Sequence, residues 1–158
     1  MAEQAATAPK QPIFALQRLY TKDVSFESPN APQVFQGEWK PQVNMDLNTE
    51  NQQLSENQWE VVLTITVTAK VEDKAAFIVE IQQAGVFLID GLSPPQVAQT
   101  LGAFCPNILF PYARESIDTL VVKGSFPALM LQPVNFDAIY ADAVKRRQAE
   151  AAAETKTH

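Results

Sequence analysis

From Trp59 to Val71 the chain alternates with a period of two, and this stretch constrains the fold more than any other. Trp59, Val61, Leu63, Ile65, Val67, Ala69 and Val71 fall on one side. Glu60, Val62, Thr64, Thr66, Thr68 and Lys70 fall on the other, where only Val62 breaks the pattern. Successive side chains of a strand point to opposite faces, so this segment reads as a strand with one buried and one wetted face. Turn residues follow in Val71-Glu72-Asp73-Lys74, and a second strand is expected from Ala76 to about Ile89, with Gly85 a bulge or a point of close packing. The pair reads as an antiparallel hairpin.

Val43, Met45 and Leu47 alternate with Asn44, Asp46 and Asn48, which predicts a third strand starting near Val34. Ile13 to Phe26 is a weaker candidate for a fourth. Between these two, Ser28-Pro29-Asn30-Ala31-Pro32 is a proline-stiffened turn or crossover. The rest reads as helix. Ser93-Pro94-Pro95-Gln96 has a capping serine, early prolines and glutamine at the capping-box position, so a helix should run from there to about Gly102. Leu109, Ala113, Ile117, Leu120 and Val121 recur at helical spacing, with Pro111 starting or kinking that helix and Gly124 capping it. A last helix should begin after Asn135, present Phe136, Ile139, Tyr140 and Val144 on one face, and reach the basic run Lys145-Arg146-Arg147, which suits a helix C-terminus, while the Ala/Glu-rich stretch from about Gln148 extends the helix and then frays. Strands followed by helices make an α+β protein, a four-stranded antiparallel sheet with helices packed on one face. Residues 12–147 form the single domain, with a disordered tail at 1–11 and a flexible one at 148–158.

The sequence of 158 residues is long enough for one core without metal or disulfide, and its net charge of −6 disfavours binding to nucleic acid. A lone cysteine, Cys105, cannot close an intrachain disulfide. The first residues lack the basic and apolar regions of a signal peptide, and no apolar run is long enough to span a membrane. These features point to the cytoplasm. Catalytic groups are missing: the single histidine, His158, ends the chain, and Cys105 has no basic neighbour in sequence to stabilise a thiolate, so it reads as a small apolar residue. No zinc, calcium or phosphate-loop motif is present, and no metal or cofactor is expected.

Two surfaces are candidates for binding. Asp23, Ser25 and Glu27 would line one side of their strand, and Glu60 and Glu80 also fall on wetted strand faces. That row is either a solvated face or an acidic platform for a basic or metal-bearing partner. Phe26, Phe35, Trp39, Val43, Met45 and Leu47 form an apolar series around the crossover. It either fills the core or a subunit interface, or it takes extended peptide through backbone pairing and side-chain pockets.

Three blocks carry a family resemblance: Leu19 to Phe35 (LYTKDVSFESPNAPQVF), Ala75 to Phe87 (AAFIVEIQQAGVF), and Cys105 to Glu115 (CPNILFPYARE) with its continuation Gly124 to Tyr140 (GSFPALMLQPVNFDAIY). Together they resemble the SecB family of bacterial protein-export chaperones over about residues 13 to 141. The resemblance implies a homotetramer built as a dimer of dimers. It implies a holdase that binds unfolded precursors in surface grooves without ATP, delivers them to the SecA motor, and acts on no bond. Carried over by position, the SecA-docking residues are Asp23, Glu27, Ile78 and Glu80. The groove for unfolded peptide takes Phe35, Trp39, Val43, Met45 and Leu47, and Val79, Ile81 and Gln83 match positions linked to packing between dimers. A SecB-like chaperone dedicated to one partner, such as a toxin–antitoxin system, is the alternative within the same class.

Overall fold

The computed structural model describes residues 10–156. His158 and most of the expected N-terminal tail lie outside the described residues. Four strands, β1 (Ile13–Glu27), β2 (Gln42–Gln53), β3 (Gln58–Val71) and β4 (Lys74–Asp90), form one sheet in the order β1-β4-β3-β2. All neighbours are antiparallel. The hairpin between β3 and β4 turns on Glu72 and Asp73, both at positive φ (51° and 63°), the geometry that suits the right-handed twist of the flanking strands. β2 begins at Gln42 rather than near Val34. Val34 belongs to a single 3-10 turn, Gln33–Gln36, inside the crossover.

Three helical segments follow without a break: α1 (Pro94–Gln99), a π-helical turn (Thr100–Phe104) and α2 (Cys105–Lys123). The capping residues at the start of α1 are those expected: Ser93 donates its backbone N–H to Gln96 Oε1 at 3.0 Å. The expected stop at Gly102 does not occur. An ideal Cβ on Gly102 would lie 2.5 Å from Tyr140 Cδ2, so the glycine admits a ring instead of ending a helix. Pro111 lies inside α2 on its exposed side, and α2 ends at Gly124 as expected. The last helix, α3 (Phe136–Thr155), is capped by Asn135 Oδ1, which accepts from the Ala138 N–H at 3.0 Å. It runs through Lys145, Arg146 and Arg147 and through most of the segment expected as a flexible tail, and its last turns are exposed.

The helices cover one face of the sheet. Val61, Leu63, Ile65, Val67 and Ala69 of β3 and Phe77, Val79, Ile81 and Phe87 of β4 are fully buried there, with Leu109, Ala113, Ile117 and Val121 of α2. Residues opposite one another across an antiparallel pair share a face. The register therefore places Val43, Met45, Leu47, Thr49 and Asn51 of β2 on the covered side and Asn44, Asp46, Asn48 and Glu50 on the open side. Val62 faces the open side yet is buried, and so is Ala84 opposite it. Tyr20 stands opposite Ala84 and its hydroxyl reaches Glu60 on β3, so its ring crosses β4 over this small residue. No helix among the described residues is long and apolar enough to cross a membrane.

Candidate binding surfaces

The open face of the sheet is built from hydrophilic rows. Glu27, Ile78, Thr68 and Asn44 make one row across the four strands. Ser25, Glu80, Thr66 and Asp46 make the next, and Asp23, Gln82, Thr64 and Asn48 the third. The structure therefore brings Asp23, Glu27, Ile78 and Glu80 together on one face, as their positions in sequence implied. With a rise of about 3.4 Å per residue and strands about 4.8 Å apart, the backbone at Glu80 sits ~8 Å from that at each of Asp23 and Glu27. Glu80 is steadied by Thr66, whose hydroxyl donates to Oε2 at 2.9 Å.

Further along the same face, Glu60 accepts from the Tyr20 hydroxyl and, at 2.9 Å, from Lys22 Nζ. The Tyr20 bond, then Lys22, holds the Glu60 carboxyl below the usual carboxylate range. Burial, followed by the bond to Glu60, pushes Tyr20 up to about 12. Glu60 is thus internally compensated. Among the described residues, no ion pair reaches Asp23, Glu27 or Glu80.

The covered face carries the apolar surface. At the crossover end, Phe35 packs on Phe126 at 5.3 Å between ring centres, and Trp39 lies 5.3 Å from Phe126 and 6.4 Å from Phe77. Val43 and Phe35 are 46% and 47% exposed in the single chain, so they are open to a ligand. Trp39, Met45 and Leu47 are half-buried against the core. Toward the other end of β2 lies an open cavity of about 700 Å³, with Leu47, Thr49 and Trp59 on the sheet side and Val97, Ile139 and Tyr140 on the helix side. The inward row of β2, from Val43 to Asn51, joins the aromatic cluster to this cavity over about 27 Å. Sequence reading missed Trp59, Val97, Ile139 and Tyr140 as cavity walls. The alternation of β3 and the apolar face of α3 marked Trp59, Ile139 and Tyr140 only as packing residues.

Val79 and Ile81 are fully buried within a single chain and Gln83 is 3% exposed. All three lie on the helix-covered face, so any effect they have on assembly passes through the elements that cover them. Cys105 is buried where the π turn meets α2, and burial pushes its thiol up to about 12. That removes the thiolate a nucleophile needs. Among the described residues no group of three or more His, Cys, Asp or Glu is placed to hold a metal ion.

A family model described as preprotein translocase subunit SecB matches residues 7–147. The chain is 80% identical over 148 residues to the protein-export protein SecB of Hahella chejuensis, covering 94% of this chain and 93% of that one. It is 70% identical over 146 residues to that of Marinobacter nauticus, covering 92% and 88%. The structure is similar to that of a SecB-like chaperone of Mycobacterium tuberculosis in complex with a ChAD peptide from the HigA1 antitoxin. The TM-score is 0.64 at 13% identity, over 77% of this chain and 90% of that one, which is a likeness of fold.

Proposed function

The chain belongs to the SecB family, whose role is that of a chaperone in protein export, and on that premise we propose how its surfaces divide the work. The protein is an ATP-independent holdase of the cytoplasm that keeps unfolded precursors competent for translocation and passes them to SecA. It catalyses no reaction. Client segments lie along the covered edge of the sheet, from Phe35, Trp39 and Val43 past Met45 and Leu47 into the cavity under α3. The observation that carries this reading is the continuous inward row of β2, which links exposed aromatic surface to an open apolar cavity. A long groove of weak apolar contacts suits an unfolded chain, because several segments of one client add by effective concentration. Folded proteins have already buried such segments.

SecA docks on the opposite face, at Asp23, Glu27, Ile78 and Glu80, where the carboxylates carry no internal cation among the described residues. The homotetramer, a dimer of dimers, buries the apolar side chains left exposed on β1 (Ile13, Phe14, Leu16 and Val24) and on the helical side (Phe104 and Tyr112). Val79, Ile81 and Gln83 support that packing from beneath.

Refolding of a slow-folding precursor tests the scheme. An equimolar amount of the protein should retard folding and suppress aggregation. The triple variant Asp23→Asn, Glu27→Gln, Glu80→Gln should do so equally well while losing affinity for SecA. Unimpeded refolding in the presence of the parent protein would end the holdase reading, and unchanged SecA affinity in the triple variant would end the docking reading.

A further inference from the structure

β1 has more residues than β4 has partners for them. Leu16 stands opposite Phe87 and Arg18 opposite Val86, so Gln17 is extra. Thr21 stands opposite Gln83 and Asp23 opposite Gln82, so Lys22 is extra. Each extra residue inverts the faces of everything beyond it. If pairing continued unbroken from Thr21, Val24 would stand opposite Glu80 and reach the open face, while Asp23, Ser25 and Glu27 would turn into the core. Burial of Phe26 requires an extra residue somewhere before it but does not say where. An extra residue two positions later, at Val24, would leave Phe26 inside and turn Asp23 inward, with Lys22 opposite Gln82.

Two contacts mark the position that is used. From the covered side, Gln83 Nε2 donates to the Tyr20 carbonyl at 3.1 Å. Gln83 is the one buried polar side chain among the described residues, and its bond meets the backbone just before the bulge. From the open side, the bulged residue itself, Lys22, donates to Glu60 at 2.9 Å, and Tyr20 donates to the other oxygen of the same carboxylate. The chain just before the bulge and at it is thus held from both faces of the sheet.

We propose that Gln83 and the Tyr20–Glu60–Lys22 bridge are positioning residues for the docking face, because they fix the β1 bulge at Lys22 and so present Asp23 beside Glu80. The inference rests on the docking reading above, and its test separates the two. Gln83→Met keeps the volume and removes the donor. It should lower SecA affinity about ten-fold, the scale of losing a positioned charge contact or two.

Disulfide trapping reads the register directly. Asp23→Cys with Gln82→Cys should cross-link in the parent background. The same pair should cross-link markedly less in the Gln83→Met background. Glu60→Gln, on the open face away from the helices, covers the case in which Gln83→Met fails to fold, and should cost SecA affinity about three-fold. SecA affinity within two-fold of the parent in both Gln83→Met and Glu60→Gln would overturn the proposal. So would undiminished trapping of the Asp23–Gln82 pair in the Gln83→Met background. If the triple carboxylate variant keeps its SecA affinity, docking falls, and the cross-link pattern still decides whether Gln83 holds the register.

Discussion

Replacing Gly102 by alanine should destabilise the protein by an amount that depends on one ring. The new Cβ would lie 2.5 Å from Tyr140 Cδ2 and 2.8 Å from Cε2. Carbon atoms pack at about 3.5–4.0 Å, so ring and turn must separate by about 1 Å. Overpacking of this kind costs about 1–3 kcal/mol. Alanine in a helical segment recovers about 0.5–1 kcal/mol of the backbone entropy that glycine loses. The net loss should be about 1–2 kcal/mol. With Tyr140→Ala in place the clash is gone, and Gly102→Ala should then be stabilising by about 0.5 kcal/mol. The double-mutant cycle should therefore give a coupling of about 2 kcal/mol and a change of sign. Urea denaturation at one fixed protein concentration measures it, because assembly adds a concentration-dependent stability. Tyr140 also walls the cavity on the α3 side, so Gly102→Ala alone should weaken a fluorescent client peptide while Asp23, Glu27 and Glu80 remain untouched. Equal costs in the two backgrounds would refute the argument that position 102 is glycine for the sake of the ring.

Leu47→Asp should weaken client peptides ~10-fold or more, the scale of one lost leucine contact, whereas Asn48→Asp on the opposite face of the same strand should not; equal effects in fluorescence anisotropy would count against the groove. Cys105, buried with its thiol raised to about 12, should react with iodoacetamide at pH 8 on the order of 1,000-fold more slowly in native protein than in urea, and a comparable native rate would show the site to be open. Glu60 has a lowered folded pKa, so its contribution is present above about pH 4.3 and fades as pH falls through that lower value. Tyr20 is the converse, with a contribution complete below about pH 10 and lost toward its folded value of about 12. Glu60→Gln should flatten the acid limb and Tyr20→Phe the alkaline limb of denaturation stability against pH, and unchanged limbs would refute the assignment.

The strands were legible because one physical cause acts along each of them. A sheet with one covered face enforces a period of two, and β3 carries it almost unbroken. Val62 broke the pattern because it is buried on the open side, opposite Ala84, where Tyr20, distant in sequence, reaches across to Glu60. The acidic face was legible for the same reason, since Asp23, Ser25 and Glu27 keep the period beyond the bulge. The bulge itself was not, because an extra residue in β1 is defined only by what β4 offers opposite it. Gly102 looked like a stop because a local signal was read locally, whereas the extension of the last helix beyond Lys145-Arg146-Arg147 was legible in the composition that follows it. Gly102 answers to Tyr140 on another helix, and α3 continues past its basic run through alanines and glutamates that favour helix on their own. The cavity was the least legible feature, since Trp59, Val97 and Tyr140 meet only after the chain has folded.

The same alternation that made β2 readable also separates the two proposed surfaces. Val43, Met45 and Leu47 face the helices while Asn44, Asp46 and Asn48 face the open side, on which β1 and β4 carry Asp23, Glu27 and Glu80. On the proposed assignment a client on one side and SecA on the other would not compete for atoms, so both could be held at once. This arrangement makes register the variable on which both depend. A slip of one residue in β2 would exchange the faces along its whole length, placing carboxylates in the groove and methionine and leucine on the platform. β2 pairs with β3 without a bulge from Gln42 to Gln53, and its Met45 and Leu47 pack against a buried core that penalises any slip. β1 reaches its correct face only through two bulges and depends on contacts made by Gln83 and Glu60. Sensitivity of SecA docking to core substitutions should therefore concentrate on the β1 side of the sheet, while substitutions of equal size beneath β2 should alter client binding first.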